Sequence, residues 1–254
     1  MENYYAIPKE KIQERLRFEN PWWDTGAVTT EIKELPRRLY FTQFYPLITN
    51  KTVKRAVIVV GPRRVGKTVM MLQAIDTLIA EQQVPARKLC YIGIDNPVYI
   101  NLSLDDLLKQ SLLASGGDTA DGCFVFFDEI QYLRDWERHL KVMVDSYPQT
   151  KFIVTGSAAA ALQAKSTESG AGRFTDFLLP PLTFQEFLHL QQLTHLLKPT
   201  EVHYDGRKHP FFAAVDIKQL NELFFQYINY GGYPEVIFAR GIKENMARFI
   251  RNDI

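Results

Sequence analysis

Four short apolar runs, separated by segments with helical periodicity, constrain the fold of this chain more than any other feature. They read AVIVV at 56–60, KLCYIGI at 88–94, CFVFF at 123–127 and KFIVTG at 151–156. Helical patterns fill the intervals from Lys67 to about Ala80, from Ser103 to about Ala114 and from Trp136 to Asp145. Strands that are nearly continuously apolar are typical of a parallel sheet covered on both faces by helices. The sequence therefore predicts an α/β fold with a doubly wound parallel sheet.

The composition is that of an ordinary globular protein with no strong electrostatic preference. The 254 residues suffice for one large domain or somewhat more, and they carry a formal net charge of +1. A charge this small gives no overall attraction to nucleic acid, so contact with DNA would require a local basic patch.

Cysteine usage and the absence of long apolar runs predict the solubility and the cellular location of the chain. Cys90 and Cys123 lie in predicted strands, where a thiol is usually a small core hydrophobe rather than half of a disulfide. The opening MENYYAIPKEKIQERLRF is charged, and no uncharged apolar run approaches the length that spans a membrane. We therefore expect a soluble cytoplasmic chain with no membrane partner.

The first fifty residues differ in pattern from the remainder. A short helical stretch from Lys9 to Phe18 is followed by prolines without a sustained period, which reads as an N-terminal arm at 1–50. Trp22 and Trp23 are predicted to brace this arm against the following domain; an exposed surface for a partner is the alternative.

A phosphate-binding motif follows the first apolar run. Gly61-Pro-Arg-Arg-Val-Gly66-Lys67-Thr68 fits the pattern of Gly, four residues and Gly-Lys-Ser/Thr, between a strand and a helix. Glycines let backbone amides wrap phosphate oxygens, and the helix N-terminus adds a partial positive charge. Lys67 is predicted to meet the β and γ phosphates and Thr68 to ligate magnesium. The alternative is a glycine turn with a solvated lysine. The predicted nucleotide contacts here are Gly61, Pro62, Arg63, Arg64, Val65, Gly66, Lys67, Thr68 and Val69.

Two acidic residues end the third apolar run, where open α/β sheets bind their ligands. Asp128 is predicted to hold magnesium and Glu129 to polarise an attacking water. A helix cap or a solvated loop edge is the alternative for this pair.

The remaining candidates are less specific. Thr155 and Ser157 place small hydroxyls at the end of the fourth run, as γ-phosphate sensors or only as a turn. A glycine-rich stretch then leads to Arg173 and a last strand, FTDFLLP, and is interpreted as a loop that faces the ligand edge. Arg173 is predicted to supply a cation to the transferring phosphate, in its own subunit or a neighbour's, with a solvated arginine as the alternative.

Together these pieces resemble a prokaryotic AAA+-superfamily P-loop ATPase of the family that carries a C-terminal domain of unknown function. The matching stretches are RAVIVVGPRRVGKT, FVFFDEIQYLRDWERHLK, KFIVTGSAAAAL, GRF, LLPPLTFQEFL and YGGYPEV. The acidic pair often found after the second strand in that family is Asp95-Asn96 here, which leaves the role of its second acid unsupported.

The resemblance implies ATP and Mg²⁺ as cofactors, a sheet of order 5-1-4-3-2 and a helical lid after the last strand. In family terms, Lys67, Thr68, Asp128 and Glu129 form the Walker A and Walker B sites, with Thr155 and Ser157 as the sensor. The implied domains are the arm at 1–50, an ATPase core at 51–182, and a lid with the start of a truncated C-terminal region at 183–254. The implied partners are the missing C-terminal domain in cis, DNA or a protein, and other copies of the chain.

Three classes of function fit these features. The first is an ATPase that couples hydrolysis to an appended domain or partner, and Glu129 is its main support. The second is a nucleotide-dependent regulatory or DNA-associated switch with little intrinsic hydrolysis. The third is a small-molecule kinase, which normally uses an acceptor pocket and an arginine-rich lid instead of a water-activating glutamate. A GTPase is disfavoured because the nearest match to the guanine signature, Asn50-Lys51-Thr52-Val53, lacks the aspartate.

Overall fold

The computed structural model describes residues 7–157 and 172–238, and the chain forms two compact units. The first unit contains residues 1–62 and 67–179, and the second contains 63–66 and 180–254. The stretch AAAALQAK, whose pattern predicts a helix, and most of the glycine-rich stretch after it lie outside the described residues. So does IKENMARFIRNDI at 242–254, for which the sequence also predicts a helix.

A five-stranded parallel sheet forms the centre of the first unit. Its strands are β1 (Ala56–Val60), β2 (Leu89–Gly93), β3 (Phe124–Asp128), β4 (Lys151–Gly156) and β5 (Phe174–Leu178). Their order is β2-β3-β4-β1-β5, and all four pairings are parallel. The predicted α/β class and strand order are confirmed, with β4 between β1, which precedes the predicted phosphate-binding motif, and β3, which ends at Asp128.

Burial explains why the central runs are continuously apolar. Every residue of β1, β3 and β4 is buried, because helices cover both faces of the sheet. Cys90 lies fully buried within β2, and Cys123 is buried directly before β3, so both thiols act as the predicted core hydrophobes.

Seven α-helices accompany the sheet among the described residues of the first unit. They are α1 (Lys9–Glu19), α2 (Trp22–Thr25), α3 (Thr30–Glu34), α4 (Phe41–Thr49), α5 (Lys67–Ala80), α6 (Leu104–Ser115) and α7 (Trp136–Ser146). A capping box at Ser103 and Asp106 starts α6, and left-handed Gly116 ends it.

The N-terminal arm covers the free edge of β2. The side-chain amide of Asn20 donates to the carbonyl of Tyr91 at 2.7 Å and accepts from its N–H at 2.6 Å. The indole N–H groups of Trp22 and Trp23 both donate to the carbonyl of Leu89, at 2.9 and 2.8 Å. Both tryptophans are buried, which confirms the bracing role and excludes the exposed partner surface. Side chains of the arm thus pair the edge of the sheet as a sixth strand would.

The second unit is helical with an inserted hairpin. Helices α8 (Phe184–Leu190) and α9 (Ile217–Tyr230) share a core that contains Phe187 and Leu223, and α10 (Pro234–Phe238) follows. Between α8 and α9, β6 (Leu197–Tyr204) and β7 (Arg207–Ala214) form an antiparallel hairpin. The hairpin was not predicted, although the Asp205-Gly206 turn between two extended runs is a hairpin signal. Its strands have no buried face, so they lack the hydrophobic alternation that indicates a strand.

Among the residues that the structure describes, no helix is both long and apolar enough to cross a bilayer.

Candidate functional site

The sheet order brings the predicted site residues to one edge. Strand β4 lies between β1 and β3, and the carboxyl ends of all three parallel strands meet there. Lys67 and Thr68 begin the helix after β1, Asp128 ends β3, and Thr155 lies near the end of β4. Residues separated by up to 88 positions in the sequence are therefore neighbours in the fold.

Lys67 points back along the loop that precedes its helix. Its Nζ donates to the main-chain carbonyls of Gly61 at 3.0 Å and Pro62 at 2.8 Å, and the side chain is buried. The loop turns through positive φ angles of 64° at Arg64 and 92° at Gly66. At Gly66 this backbone conformation favours glycine, as the motif predicts. The ammonium group is thus held at the motif where phosphate oxygens are expected.

Asp128 accepts hydrogen bonds from three hydroxyl groups. Its Oδ2 accepts from Thr68 Oγ1 at 2.6 Å and from the Tyr91 hydroxyl at 2.7 Å. Its Oδ1 accepts from Thr155 Oγ1 and, at 3.2 Å, from the N–H of Glu129. The carboxylate is 4% exposed, so these donors replace the water that would otherwise solvate it.

Burial, together with the charge and the hydrogen bond of Asp128, raises the pKa of Tyr91 well above its ordinary value. Its phenol therefore remains protonated and acts as a donor to the carboxylate.

Glu129 has a left-handed backbone, with φ of 55°, directly after the buried strand. Its N–H also donates to Thr155 Oγ1 at 2.9 Å, which fixes the turn against β4. The Gln131 side chain donates to the Glu129 carboxylate and accepts from the N–H of Ser157 at 3.2 Å. Gln131 therefore joins the candidate base to the end of β4.

The oxygen ligands present suit Mg²⁺ bound together with a nucleotide. Magnesium typically takes one or two protein carboxylates and fills its other positions with phosphate oxygens and water. Asp128 supplies one carboxylate, and the Thr68 hydroxyl, in direct contact with it, supplies a second oxygen. Within residues 7–157 and 172–238, no cluster of three or more His, Cys, Asp or Glu side chains is placed to form a metal site made of protein ligands alone.

Arg173 is not brought to these residues. It precedes β5, and its carbonyl accepts from the N–H of Ala56 at the start of β1, so it lies at the opposite end of the sheet from Thr68. Its Nε donates to both carboxylate oxygens of Asp145, at 2.8 and 3.0 Å. The expectation that Arg173 faces the ligand edge within its own subunit is therefore wrong, because parallel pairing places the start of β5 beside the start of β1.

The other predicted contacts are only partly brought together. Ser157 meets Gln131 through its main-chain N–H, not through its hydroxyl. Arg63, Arg64, Val65 and Gly66 belong to the second compact unit, in which Arg64 Nε lies 3.6 Å from Glu235 Oε2. Val69 follows Thr68 in the first turn of α5.

Tyr91 and Gln131 are the site residues that sequence reasoning missed. A tyrosine within an otherwise apolar strand was a usable signal, because a buried phenol needs a hydrogen-bond partner. Gln131 carried a weaker signal, since a glutamine two residues after an acidic pair is compatible with many loop structures.

Comparison with known proteins identifies the family. A protein-family model described as an AAA domain matches residues 53–188. An uncharacterized protein of Haemophilus influenzae is 24% identical over 193 residues, which cover 76% of this chain and 43% of that protein. An uncharacterized protein of Methanocaldococcus jannaschii is 25% identical over 225 residues, which cover 89% of this chain and 44% of that protein. The chain thus matches less than half the length of these relatives.

Two solved structures match part of this chain. The Aeropyrum pernix ORC1 protein in complex with DNA matches with a TM-score of 0.45 and 10% identity, over 67% of this chain and 52% of that one. A Saccharomyces cerevisiae Hsp104–casein complex matches with a TM-score of 0.43 and 13% identity, over 69% of this chain and 31% of that one. Because the family model matches more than half of its residues, the chain belongs to the AAA domain family.

Proposed function

We propose that this AAA-type domain binds ATP with Mg²⁺ and hydrolyses it to ADP and phosphate. One observation carries the proposal: the Thr68 hydroxyl contacts the Asp128 carboxylate beside Lys67, in a motif built for phosphate. A threonine at the start of α5 and a buried aspartate at the end of β3 have little structural reason to meet at this edge. They are the two oxygen ligands that a magnesium–nucleotide complex requires from the protein.

Each residue then has a distinct task. Backbone amides of the Gly61–Thr68 motif bind phosphate oxygens, and Lys67 neutralises the charge that develops on them. Thr68 and Asp128 hold Mg²⁺, which supplies Lewis-acid polarisation of the phosphates when bound. Glu129 orients a water and accepts its proton, while Thr155 fixes Glu129 and Asp128 through its hydroxyl.

A switch with little intrinsic hydrolysis is the second candidate. The contact between Gln131 and the Glu129 carboxylate favours it, because a carboxylate engaged by an amide is less available to a water. Slow turnover in the isolated chain, accelerated by a partner, would distinguish the switch from a constitutive ATPase.

The greater length of the relatives suggests what responds to the bound nucleotide. The relatives extend well beyond the matched region, so we propose that an appended domain in cis, DNA or a protein partner receives the nucleotide signal. We keep Arg173 only as a cation acting in trans, which would require a neighbouring copy of the chain. A cytoplasmic location is part of the same proposal.

Turnover of the purified chain tests the proposal. Phosphate release from ATP is measured with Mg²⁺ for the parent and for Glu129→Gln, and ATP binding is measured for both. We expect turnover to fall by about 100-fold or more in the variant, because positioned general bases contribute about 10²–10⁴-fold, while binding is retained. Glu137→Gln, at the start of α7, is the matched control. Equal turnover in the parent and Glu129→Gln would remove Glu129 from the mechanism.

A further inference from the structure

We propose that Tyr91 is a positioning residue for Asp128, and that the N-terminal arm fixes Tyr91 in place. The inference rests on the proposed nucleotide site and adds to it a residue that lies outside both Walker motifs. It joins the arm, the edge strand and the predicted magnesium ligand in one set of contacts.

The sheet register places the phenol beside the carboxylate. Tyr91 pairs with Phe126 across the parallel ladder, and Asp128 lies two residues further along β3. Side chains two residues apart share a face of a strand, so Tyr91 and Asp128 lie on the same face as diagonal neighbours. The Tyr91 hydroxyl spans this diagonal and meets Asp128 Oδ2 at 2.7 Å.

The three hydroxyl donors to Asp128 are not equivalent. Thr68 donates to the same Oδ2, but it is itself a predicted magnesium ligand, and Thr155 serves the other oxygen. Tyr91 is therefore the donor to Oδ2 that has no other task in the proposed mechanism. A hydrogen bond to a metal-ligating carboxylate orients that ligand, which is the role we assign to the phenol.

The arm holds the backbone of Tyr91 on both sides. Asn20, which is 1% exposed, donates to the carbonyl of Tyr91 and accepts from its N–H. The strand positions two residues before and two residues after Tyr91 are fixed as well: the Leu89 carbonyl accepts from both tryptophans of the arm, and the Gly93 N–H donates to Glu19 Oε2 at 3.3 Å. An edge strand held at three alternate residues has little freedom to shift. The arm thereby sets the position from which the phenol reaches Asp128.

Replacing Tyr91 with phenylalanine isolates this effect. The ring and its packing are kept, and only the donor to Asp128 Oδ2 is removed. We expect metal affinity to weaken about 10-fold or more, the range found when outer partners of metal ligands are removed. Affinity for ATP without metal should be unchanged, because Tyr91 has no predicted contact with the nucleotide.

The experiment measures Mn²⁺ binding in the presence of saturating ATP by electron paramagnetic resonance. The parent, Tyr91→Phe and Tyr147→Phe are compared at equal concentrations, with ATP affinity in EDTA and urea unfolding recorded for each. Tyr147 is the matched control, since its hydroxyl donates to Asp105 at 2.6 Å and both residues lie away from the Walker motifs. Weaker Mn²⁺ binding in Tyr91→Phe alone, with metal-free ATP affinity preserved, supports the proposal.

Two contrary outcomes separate the inference from the proposed function. If the parent binds Mn²⁺ with ATP and Tyr91→Phe binds it equally well, the positioning role is overturned while the nucleotide site stands. If the parent shows no ATP-dependent Mn²⁺ binding, the proposed function itself fails, and the role of Tyr91 fails with it. A loss of metal-free ATP affinity in Tyr91→Phe would also overturn the positioning role, because it would indicate general damage to the site.

Discussion

At the scale of single residues, the Asp128 carboxylate connects the predicted and the unpredicted parts of the site. Lys67, Thr68, Asp128 and Glu129 were predicted because each belongs to a short linear motif whose chemistry requires that residue type. Tyr91 could not be predicted in the same way. Its contact with Asp128 depends on the register between two strands that are separated in the sequence by a helix.

Thr155 offers a direct test at this scale. Thr155→Val keeps the shape of the side chain but removes the donor to Asp128 Oδ1 and the acceptor for the Glu129 N–H. We expect the free energy of unfolding to fall by about 1–3 kcal/mol, the typical cost of leaving a buried polar group without its partner. Urea denaturation measures the loss. Thr155→Ser, which keeps the hydroxyl, should remain within about 1 kcal/mol of the parent, and equal losses in both variants would contradict this role for the hydroxyl.

At the scale of elements, the arm and the hairpin show two different limits of prediction. The tryptophans of the arm were expected to pack on the following domain, but their donation to one carbonyl of β2 was not, since an indole contact with a distant backbone group leaves no local sequence pattern. The hairpin β6–β7 was missed because its strands lack a buried face, and hydrophobic alternation is the main signal of a strand.

Asn20 should contribute strongly to the stability of the first unit. Asn20→Ala leaves the N–H and the carbonyl of Tyr91 without their partners, and removes a third bond, at 2.7 Å, to the carbonyl of Leu16. We expect the free energy of unfolding to fall by about 2 kcal/mol or more. Amide hydrogen exchange at Tyr91 should accelerate in parallel.

Gln13→Ala provides the comparison for Asn20. Gln13 lies in α1, and its replacement removes a single hydrogen bond, to the side chain of Gln110. We expect a much smaller decrease in the free energy of unfolding. A similar decrease in the free energy of unfolding in the two variants would contradict a large stabilising contribution from the Asn20 contacts with β2.

Glu19 should give the arm a measurable pH dependence. Burial raises the pKa of Glu19 above the ordinary 4.5, although bonds from Tyr99, Arg15 and the Gly93 N–H lower it in part. The folded chain therefore holds this proton more tightly than the unfolded chain does. Its contribution to stability is present at low pH and is lost as the pH rises from the unfolded pKa through the raised folded pKa.

Comparison with Glu19→Gln isolates that titration. The free energy of unfolding is measured for both chains from pH 4 upward, a range that begins near the ordinary pKa of glutamate. We expect the parent to lose stability relative to the variant as the pH increases across this window. A difference that stays constant, or that grows in favour of the parent, would contradict a raised pKa for Glu19.

At the scale of the whole molecule, the sheet order was predicted, whereas the grouping of residues 63–66 with the second compact unit was not. The order follows from the family resemblance and is confirmed by the pairing of all five strands. The predicted core and lid are contiguous segments that meet at one position in the sequence. In the structure, four residues of the phosphate-binding loop, 63–66, group with the second unit although they lie far from it in the sequence. Sequence patterns assign contiguous segments to domains, so they do not predict that a short internal segment groups with a distant part of the chain.

Ligand linkage gives a prediction for the intact chain. A nucleotide complex that binds only the folded state at 100 times its dissociation constant stabilises that state by about 2.7 kcal/mol. We therefore expect ATP with Mg²⁺ to raise the midpoint of thermal unfolding, and EDTA to remove most of the increase. Scanning calorimetry in both conditions is the measurement, and an identical midpoint with and without the metal would contradict magnesium as part of the site.

The central claim is that Lys67 holds the phosphates of a bound nucleotide, and equilibrium binding of ATP with Mg²⁺ tests it most directly. Lys67→Ala is compared with Lys151→Ala, a second buried lysine whose Nζ also lies on main-chain carbonyls, 3.4 Å from those of Asn50 and Val53. We predict that Lys67→Ala weakens ATP binding about 10-fold or more, equivalent to about 1.4 kcal/mol, while Lys151→Ala binds as the parent does. Equal ATP affinity in the parent and in folded Lys67→Ala would contradict the account.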